Sequence, residues 1–597
     1  MNEARGHPKP NVSPDPRRRV SAARRLRLVV IGGLLLSAVA LAALSLVPHD
    51  TLKEHVDAFS VDRDAGVSRA EFESFVDRLR ILALGLALLA LGLTLARHTV
   101  DRVGAGLLDG WWSALRQSPA LLRDWIRAED RAHLAVLGLV LVAGVALRVS
   151  FLDVPMRYDE ATTYDNYVSK PLYVGLANYS APNNHLLHTF LAKLSVTAFG
   201  SAEWAVRLPA LLAGIAIIPA TFALARRLYG KVAALLAAAL AASSSTLVEY
   251  STNARGYTIV VLLTLIVLIA ATRVLEGGSI SAWGVIAPGG ALGLYAVPIM
   301  IYPFGGILLW LLASQIAAKG SPRAFVGRLG GCVLATAVLT GILYAPVFAA
   351  SGPRSVTSNE FVEPRSWSSF LELLPEHGRD TLETWSRDLP FVVATMLAVA
   401  VVASVVLTSR ISRFSISPLL AIVASALPVL AFQRVVPFTR VWLFLLPVAL
   451  VTAAGFYSWL LEKRPLGRLA GVALAGLVVV STSVAVYSAD SVRESRETGG
   501  LLDAEAVADD LAARLRPRDR ILATGSDTIL EYYLEREGIE AAPLLYTKER
   551  RERTFVVVNV LGGQTIGDLL DELDGSAALG PPRLLSRYPS ALVYLVG

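Results

Sequence analysis

Three short stretches of this sequence hold side chains able to move a proton or grip an anion. The first is Arg157-Tyr158-Asp159-Glu160, followed by Asp165, by Pro182-Asn183-Asn184-His185 and by His188. Adjacent carboxylates suit a general base, which must lie within hydrogen-bond reach of the proton it takes. They also suit a divalent cation, with Asp159 the candidate ligand, and a carboxylate pair equally serves only to solvate a loop. The second stretch is Glu249-Tyr250-Ser251-Thr252-Asn253-Ala254-Arg255-Gly256-Tyr257, and the third is Gln433-Arg434-Val435-Val436-Pro437-Phe438-Thr439-Arg440. Their arginines offer planar forks that match a phosphate, while the plain use of an arginine at a membrane surface is to snorkel. His185 and His188 would share one face of a helix, but with no third clear ligand they fit a polar cleft better than a zinc site. Asp62, Asp64, Gly66, Glu71 and Phe72 echo a calcium loop about two residues too short, and we read no calcium site there.

The elements that must position these residues are membrane helices. Of the 597 residues 54% are hydrophobic, and the mean hydropathy is +0.53. The apolar residues gather in blocks of roughly 16–22, the length that crosses a hydrocarbon core as helix. In lipid every backbone polar group must be bonded internally, which makes these blocks helices; the weak alternating segments of a β-barrel are absent. Thirteen spans are expected, at 28–47, 81–96, 134–147, 205–225, 232–247, 258–271, 283–297, 299–312, 329–348, 391–407, 419–432, 441–461 and 469–486. The short loops with Arg226, Arg227 and Lys231, with Arg273, with Lys319, Arg323 and Arg328, with Arg410 and Arg413, and with Lys463, Arg464 and Arg468 then fall on one side, together with the Arg-rich N-terminus. The positive-inside rule makes that side cytoplasmic. The acidic loop, Arg255, Arg434 and Arg440 then all face the opposite, outer compartment.

The expected fold class is an all-α polytopic membrane protein with a C-terminal α/β extracytoplasmic domain. Its parts are a cytoplasmic basic tail (1–27), two leading transmembrane helices with an outer loop and an interfacial helix (28–133), a transmembrane catalytic core (134–487) with outer loops 153–204 and 351–390, and the α/β domain (488–597). Arg17 to Arg27 lead a retained signal-anchor helix, since the apolar run is long and no small-residue cleavage site follows. The stretch before that helix reads as a disordered tail. Trp111, Trp112 and Trp125 with interleaved arginines predict an amphipathic helix in the cytoplasmic interface. In the tail, helical patterns at 504–515, 528–537 and 565–573 alternate with β-like runs at 520–523, 554–560 and 591–596. The net charge of +7 lies in connecting loops and sets orientation; no nucleic-acid partner is expected. The single cysteine, Cys332, excludes a disulfide framework.

The order of these features resembles the GT-C superfamily of membrane glycosyltransferases, in its branch of protein O-mannosyltransferases and lipid A aminoarabinose transferases (glycosyltransferase family 39-like). The resemblance runs from about Leu134 to the end. It is carried by Tyr158-Asp159-Glu160 through His185 to Phe199-Gly200, by Glu203, by Arg207-Leu208-Pro209 and by Ala225-Arg226-Arg227-Leu228-Tyr229-Gly230. Asn253-Ala254-Arg255-Gly256-Tyr257 resembles the family's "ARxY" turn, and Arg440 before Trp442-Leu443-Phe444-Leu445-Leu446-Pro447 its late arginine. The resemblance implies transfer of a sugar, hexose or pentose, from a polyprenyl-phosphate donor to a lipid, glycan or protein acceptor at the outer face. It implies Asp159 as base or metal-binding carboxylate with Glu160 supporting it. Arg255 and Arg440 would hold the leaving phosphate, and Tyr257, His185, Asn184 and Arg434 are the further substrate-binding candidates. The resemblance makes no cofactor certain and leaves the need for a divalent cation open, with Asp159 the candidate ligand. The family often carries His-Pro-Pro where this chain has Asn184-His185-Leu186, which leaves the role of His185 open. The rival reading is a transporter or lipid flippase. Transporters place ionisable groups near the bilayer midplane on interrupted helices of internal repeats; here the spans are nearly free of acids and no repeat is visible.

Overall fold

The computed structural model describes residues 16–57, 67–277, 280–318, 322–357, 363–495, 497, 499–547, 551, 553–572 and 581–597. Among them, nine helices are long and apolar enough to cross a membrane. A tenth is a pair, Lys231–Ser243 and Ser245–Ser251, bent by 60° at Ser244. Three shorter apolar helices, Ile280–Ala296, Phe391–Val406 and Pro418–Gln433, occupy the remaining expected spans. Large apolar side chains such as Leu36, Val142, Phe391, Val402 and Phe432 are exposed on these helices, as lipid-facing residues must be.

The chain divides into two compact units. Residues 1–58, 62–129 and 276–285 form the first. Its leading helix runs Pro16–Leu44, starting well before 28: Arg17 to Arg27 continue the helix where a disordered tail was expected. The reason is partnership. Arg27 pairs with Asp101 at 2.8 Å and Arg19 with Asp109 at 2.7 Å, both acids on the long amphipathic helix Arg97–Ala128. Trp111 and Trp112 are exposed on that helix. Asp62, Asp64 and Gly66 lie outside the described residues. Glu71 closes a capping box with Ser68 at the start of helix Arg69–Leu95.

The second unit, residues 59–61, 130–275 and 286–597, holds the remaining helices and a four-stranded sheet. The strands are β1 (Arg520–Leu522), β2 (Thr554–Asn559), β3 (Arg583–Arg587) and β4 (Ala591–Val596), in the order β1-β2-β4-β3. β1 and β2 are parallel and the other pairs antiparallel. β3 is an additional strand at the edge. Helices Ala504–Ala512, Asp527–Arg536 and Ile566–Asp571 stand where helical patterns were expected.

The sheet domain and the loop that follows helix Arg131–Val149 share one apolar cluster. Met156, Ala161, Val206 and Ala254 pack with Leu501, Val507, Ile529, Tyr532, Tyr533 and Phe555. Fully burying such side chains contributes about 1.5–3 kcal/mol each. The tyrosines also bond across: Tyr533 Oη accepts from the Met156 amide at 3.0 Å, and Tyr532 Oη donates to the Ser201 carbonyl at 2.6 Å.

Candidate active site

Asp159 and Glu160 sit in the first turn of a short helix, Tyr158–Thr163, where the free amides favour negative charge. Neighbours on a helix point about 100° apart, and the two carboxylates have opposite surroundings. Glu160 is fully buried and bonded on both oxygens. It takes Arg207 Nε at 2.8 Å and Nη2 at 2.7 Å, the Ala254 amide at 2.6 Å and the Arg157 amide at 2.9 Å. Arg207 spends its other donors on the carbonyls of Leu152, Val154 and Pro155. Burial works against the Glu160 charge, but Arg207 and Arg157 outweigh it and hold its pKa below the ordinary value. Glu160 thus ties the acidic turn to Ala254, the neighbour of Arg255.

Asp159 keeps 21% of its side chain exposed, and its Oδ2 lies 2.9 Å from Arg255 and 3.6 Å from Arg440. That oxygen accepts no properly directed hydrogen bond; it is held by charge alone. Two guanidiniums face one carboxylate, leaving one positive charge uncompensated. The backbone beneath is fixed by Asn183, whose Nδ2 donates to the Asp159 carbonyl and to Thr163 Oγ1, each at 3.2 Å.

Arg255 reaches this point because the span before it is broken. Ser244 interrupts the helix, and Arg148, fully buried, fills the break: its Nη atoms donate to the carbonyls of Gly144, Ala241 and Ala242, and its Nε to Ser251 Oγ. The bonds to Ala241 and Ala242 satisfy carbonyls that a broken helix would leave bare. The chain then turns through Thr252–Gly256 into helix Tyr257–Leu275. Gly256 is needed for closeness, since a Cβ there would sit 3.1 Å from His185 Cβ and 3.2 Å from the Ala296 carbonyl. The Gly256 amide donates to His185 Nδ1 at 2.9 Å, and Arg255 Nη2 lies 3.4 Å from Nε2. Burial, then the charge of Arg255, push the His185 pKa well below its ordinary value; the ring is a neutral acceptor here.

Arg440 lies in the turn Thr439–Trp442. Its Nε donates to Tyr257 Oη at 3.2 Å and its Nη1 to the Glu497 carbonyl at 3.2 Å, while the guanidinium stacks 4.1 Å above Phe438. Burial disfavours its charge, but Tyr257, Tyr250 and Asp159 more than offset this and raise its pKa. Glu497 belongs to the linker between the last membrane helix, Gly467–Ala489, and the sheet domain. This linker crosses the site as a strap. The Val492 carbonyl takes Arg157 Nη2 at 2.7 Å, and Gly499 accepts the Tyr158 amide at 3.3 Å.

Residues 182–344 match the family model described as dolichyl-phosphate-mannose-protein mannosyltransferase. ArnT from Cupriavidus metallidurans in the apo state superposes with a TM-score of 0.51 at 14% identity, covering 80% of this chain and 98% of that one. The same protein bound to undecaprenyl phosphate gives 0.52 at 13% identity, covering 77% and 97%. Over most of its length the chain shares the fold of these ArnT structures. No curated protein sequence matches it significantly.

Of the candidate residues, the structure brings together Asp159, Arg255, Arg440, Tyr257 and His185. Asn184 lies just behind them but is consumed by the scaffold, bonding the carbonyls of Gly175 and Asn178 and the hydroxyl of Thr189. Arg434 joins no ion pair or side-chain hydrogen bond among the described residues. It ends helix Pro418–Gln433 in a left-handed conformation with φ 52°, its amide on Leu430 and its carbonyl on Arg365. His188 is fully buried, and neither ring nitrogen finds a partner among the described residues. No group of three or more His, Cys, Asp or Glu side chains among the described residues is placed to hold a metal. Sequence reasoning passed over Arg148 and Glu497, and named Asn183 and Arg207 only as motif residues without a role. Arg148 had a signal, a lone cation inside an apolar span; Glu497 had none.

Proposed function

We propose that this protein transfers a sugar, hexose or pentose, from a polyprenyl-phosphate donor to a lipid, glycan or protein acceptor at the outer membrane face. The observation that carries this reading is the cluster of Asp159 with Arg255 and Arg440, one carboxylate between two guanidiniums. ArnT, of similar fold, binds undecaprenyl phosphate, which supports a lipid phosphate as the anion here. The N-terminus is assigned to the cytoplasm and the sheet domain to the outside by the loop charges, with the core at 134–487 and the sheet domain at 488–597.

Without substrate, Asp159 lies between the two arginines and offsets only one of their charges. An arriving phosphate takes over their donors and frees the carboxylate, replacing its ion pairs with Arg255 and Arg440. The acceptor hydroxyl then gives its proton to Asp159 and bonds the sugar C1. The C1–O bond to phosphate breaks, and the polyprenyl phosphate leaves with its charge held by Arg255 and Arg440. Glu160 and Arg207 position the turn and take no proton. Asp159, already matched by two cations, suits the role of base better than that of cation ligand.

The transporter reading would use the broken span as a pathway. Arg148 fills that break, and the cavity beside it holds about 30 Å³, room for water and not for a solute. The test is transfer of radiolabelled sugar from a panel of polyprenyl-phosphate donors by purified protein, with membrane extract as acceptor and Asp159→Asn as control. Label reaching an acceptor, and lost in the variant, supports the reading; full transfer by Asp159→Asn sinks it. Lipid translocation in liposomes without any transfer would favour the flippase.

A further inference from the structure

We propose that a cleft of about 430 Å³ beside Arg440, lined by Arg387, Ser491, Glu494, Ser495 and Glu497, is the subsite for a hydroxyl-rich sugar unit that carries no negative charge. The inference rests on the reading of Arg440 as a phosphate-binding residue and adds where the sugar lies and which charge it bears. Position comes first. Glu497 lines the cleft, and its carbonyl accepts from Arg440 Nη1 at 3.2 Å while its carboxylate accepts from Thr439 Oγ1 at 2.5 Å. A group attached to a phosphate held by Arg440 therefore starts at the cleft wall.

The lining chemistry comes second. Carboxylates accept pairs of hydrogen bonds from vicinal hydroxyls, and serine hydroxyls both give and accept. The lining is also organised from behind. Ser495 Oγ donates to Glu249 Oε1 at 2.5 Å, Glu249 is fully buried, and its Oε2 pairs with Arg387 at 3.0 Å. Next in the chain, Tyr250 is 1% exposed, and its hydroxyl finds no hydrogen-bond partner among the described residues. Its ring packs against that of Tyr257, whose hydroxyl takes Arg440. Tyr250 thus backs the Arg440 side of the cleft without lining it.

Charge decides the class of sugar. Among the described residues lining the cleft, Glu494 and Glu497 outnumber Arg387, whose charge is already met by the buried Glu249, and a carboxylate on the ligand would be repelled. The cleft accepts neutral or amino sugars and rejects uronic acids. Its size falls within the range of roughly 300–1,000 Å³ that small-ligand sites occupy. The sugar can belong to the donor or to the acceptor; the chemistry is the same.

The experiment uses full-length protein in detergent, titrated with bare polyprenyl phosphate, a polyprenyl-phosphate hexose and a polyprenyl-phosphate uronic acid. Wild type is compared with Glu494→Gln and Glu494→Lys, since Glu494 is exposed and its replacement leaves the core intact; thermal melting checks this. The readout is the affinity of each sugar lipid relative to the bare lipid. If the cleft holds the donor sugar, the hexose-over-bare ratio falls about fivefold or more in Glu494→Gln, and Glu494→Lys shifts preference toward the uronic acid. If it holds the acceptor sugar, those ratios stand still. The half-saturating amount of membrane acceptor then rises at least about fivefold instead. The proposal is overturned if wild type and both variants agree in all of these while bare polyprenyl phosphate binds. Failure of wild type to bind polyprenyl phosphate at all would instead remove the phosphate reading, and the cleft assignment with it.

Discussion

Replacing Glu160 by Gln changes one oxygen to an amide and little else in size, yet it should be among the most damaging substitutions in the chain. Four donors converge on the Glu160 carboxylate at 2.6–2.9 Å, two from Arg207 and one each from the Ala254 and Arg157 amides. A glutamine amide must point its own donors at two of these four. It also leaves the Arg207 cation fully buried without a counter-charge. Removing one partner of a buried pair costs about 3–5 kcal/mol, and here the loss is transmitted through Ala254 to Arg255. The expected outcome is a lower melting temperature in detergent together with weaker binding of polyprenyl phosphate. Glu160→Gln combined with Arg207→Met should melt above Glu160→Gln alone, since the orphan cation is gone. The pH dependence follows from the same pair. Because the folded pKa of Glu160 lies below the ordinary 4.5, its stabilisation is complete above that pH and is lost as pH falls through the folded value. Glu160→Gln should lack this acid limb. A Glu160→Gln protein with wild-type melting and wild-type lipid affinity would refute the reasoning.

Asp159→Asn should keep polyprenyl-phosphate binding but lose transfer by about 10²–10⁴-fold, the scale of a removed general base, as measured by single-turnover assays. Arg440→Lys keeps the charge but loses the fork that bonds both Tyr257 and Glu497; its lipid-phosphate Kd should rise about tenfold or more, and an unchanged Kd would remove Arg440 from the site. His185 is held neutral in the fold, so an unfolded chain that gains this proton below its ordinary pKa of about 6.5 makes stability fall as pH drops through that value. His185→Gln should lessen the slope below that pH by about 1.4 kcal/mol per pH unit, read from melts between pH 5 and 8. Gly499→Ala meets a φ of 71° and a Tyr158 Cβ at 2.9 Å. A strain of roughly 1–2 kcal/mol should lift the strap and slow transfer, and an unaltered rate would show that the strap does not position the site.

What the sequence made legible and what it hid follow from how far each signal reaches. The spans were visible because hydropathy is local and lipid tolerates only helices or closed barrels. Three of the four strands carried runs of Val, Leu, Ile or Ala, whereas β3, Arg-Leu-Leu-Ser-Arg at the sheet edge, is flanked by charge as an unpaired edge demands and so resembles a loop. The helical start at Pro16 was missed because Arg19 and Arg27 are neutralised by acids some ninety and seventy-four residues away, and no window spans that distance. The site shows the same limit more sharply. Asp159 and Glu160 are chemically almost alike and adjacent, yet one faces solvent between two arginines and the other is locked inside the scaffold. Their separation depends on Arg207, Arg255 and Arg440, which come from three different membrane-helix connections or ends. Arg434 and Arg440 share one turn, and only the left-handed cap at Arg434 divides them. Residue type narrows the candidates; the partner that each acquires across the fold assigns the role. That is why Glu497, an ordinary linker residue by every local measure, accepts from Arg440 through its carbonyl and makes the linker part of the site.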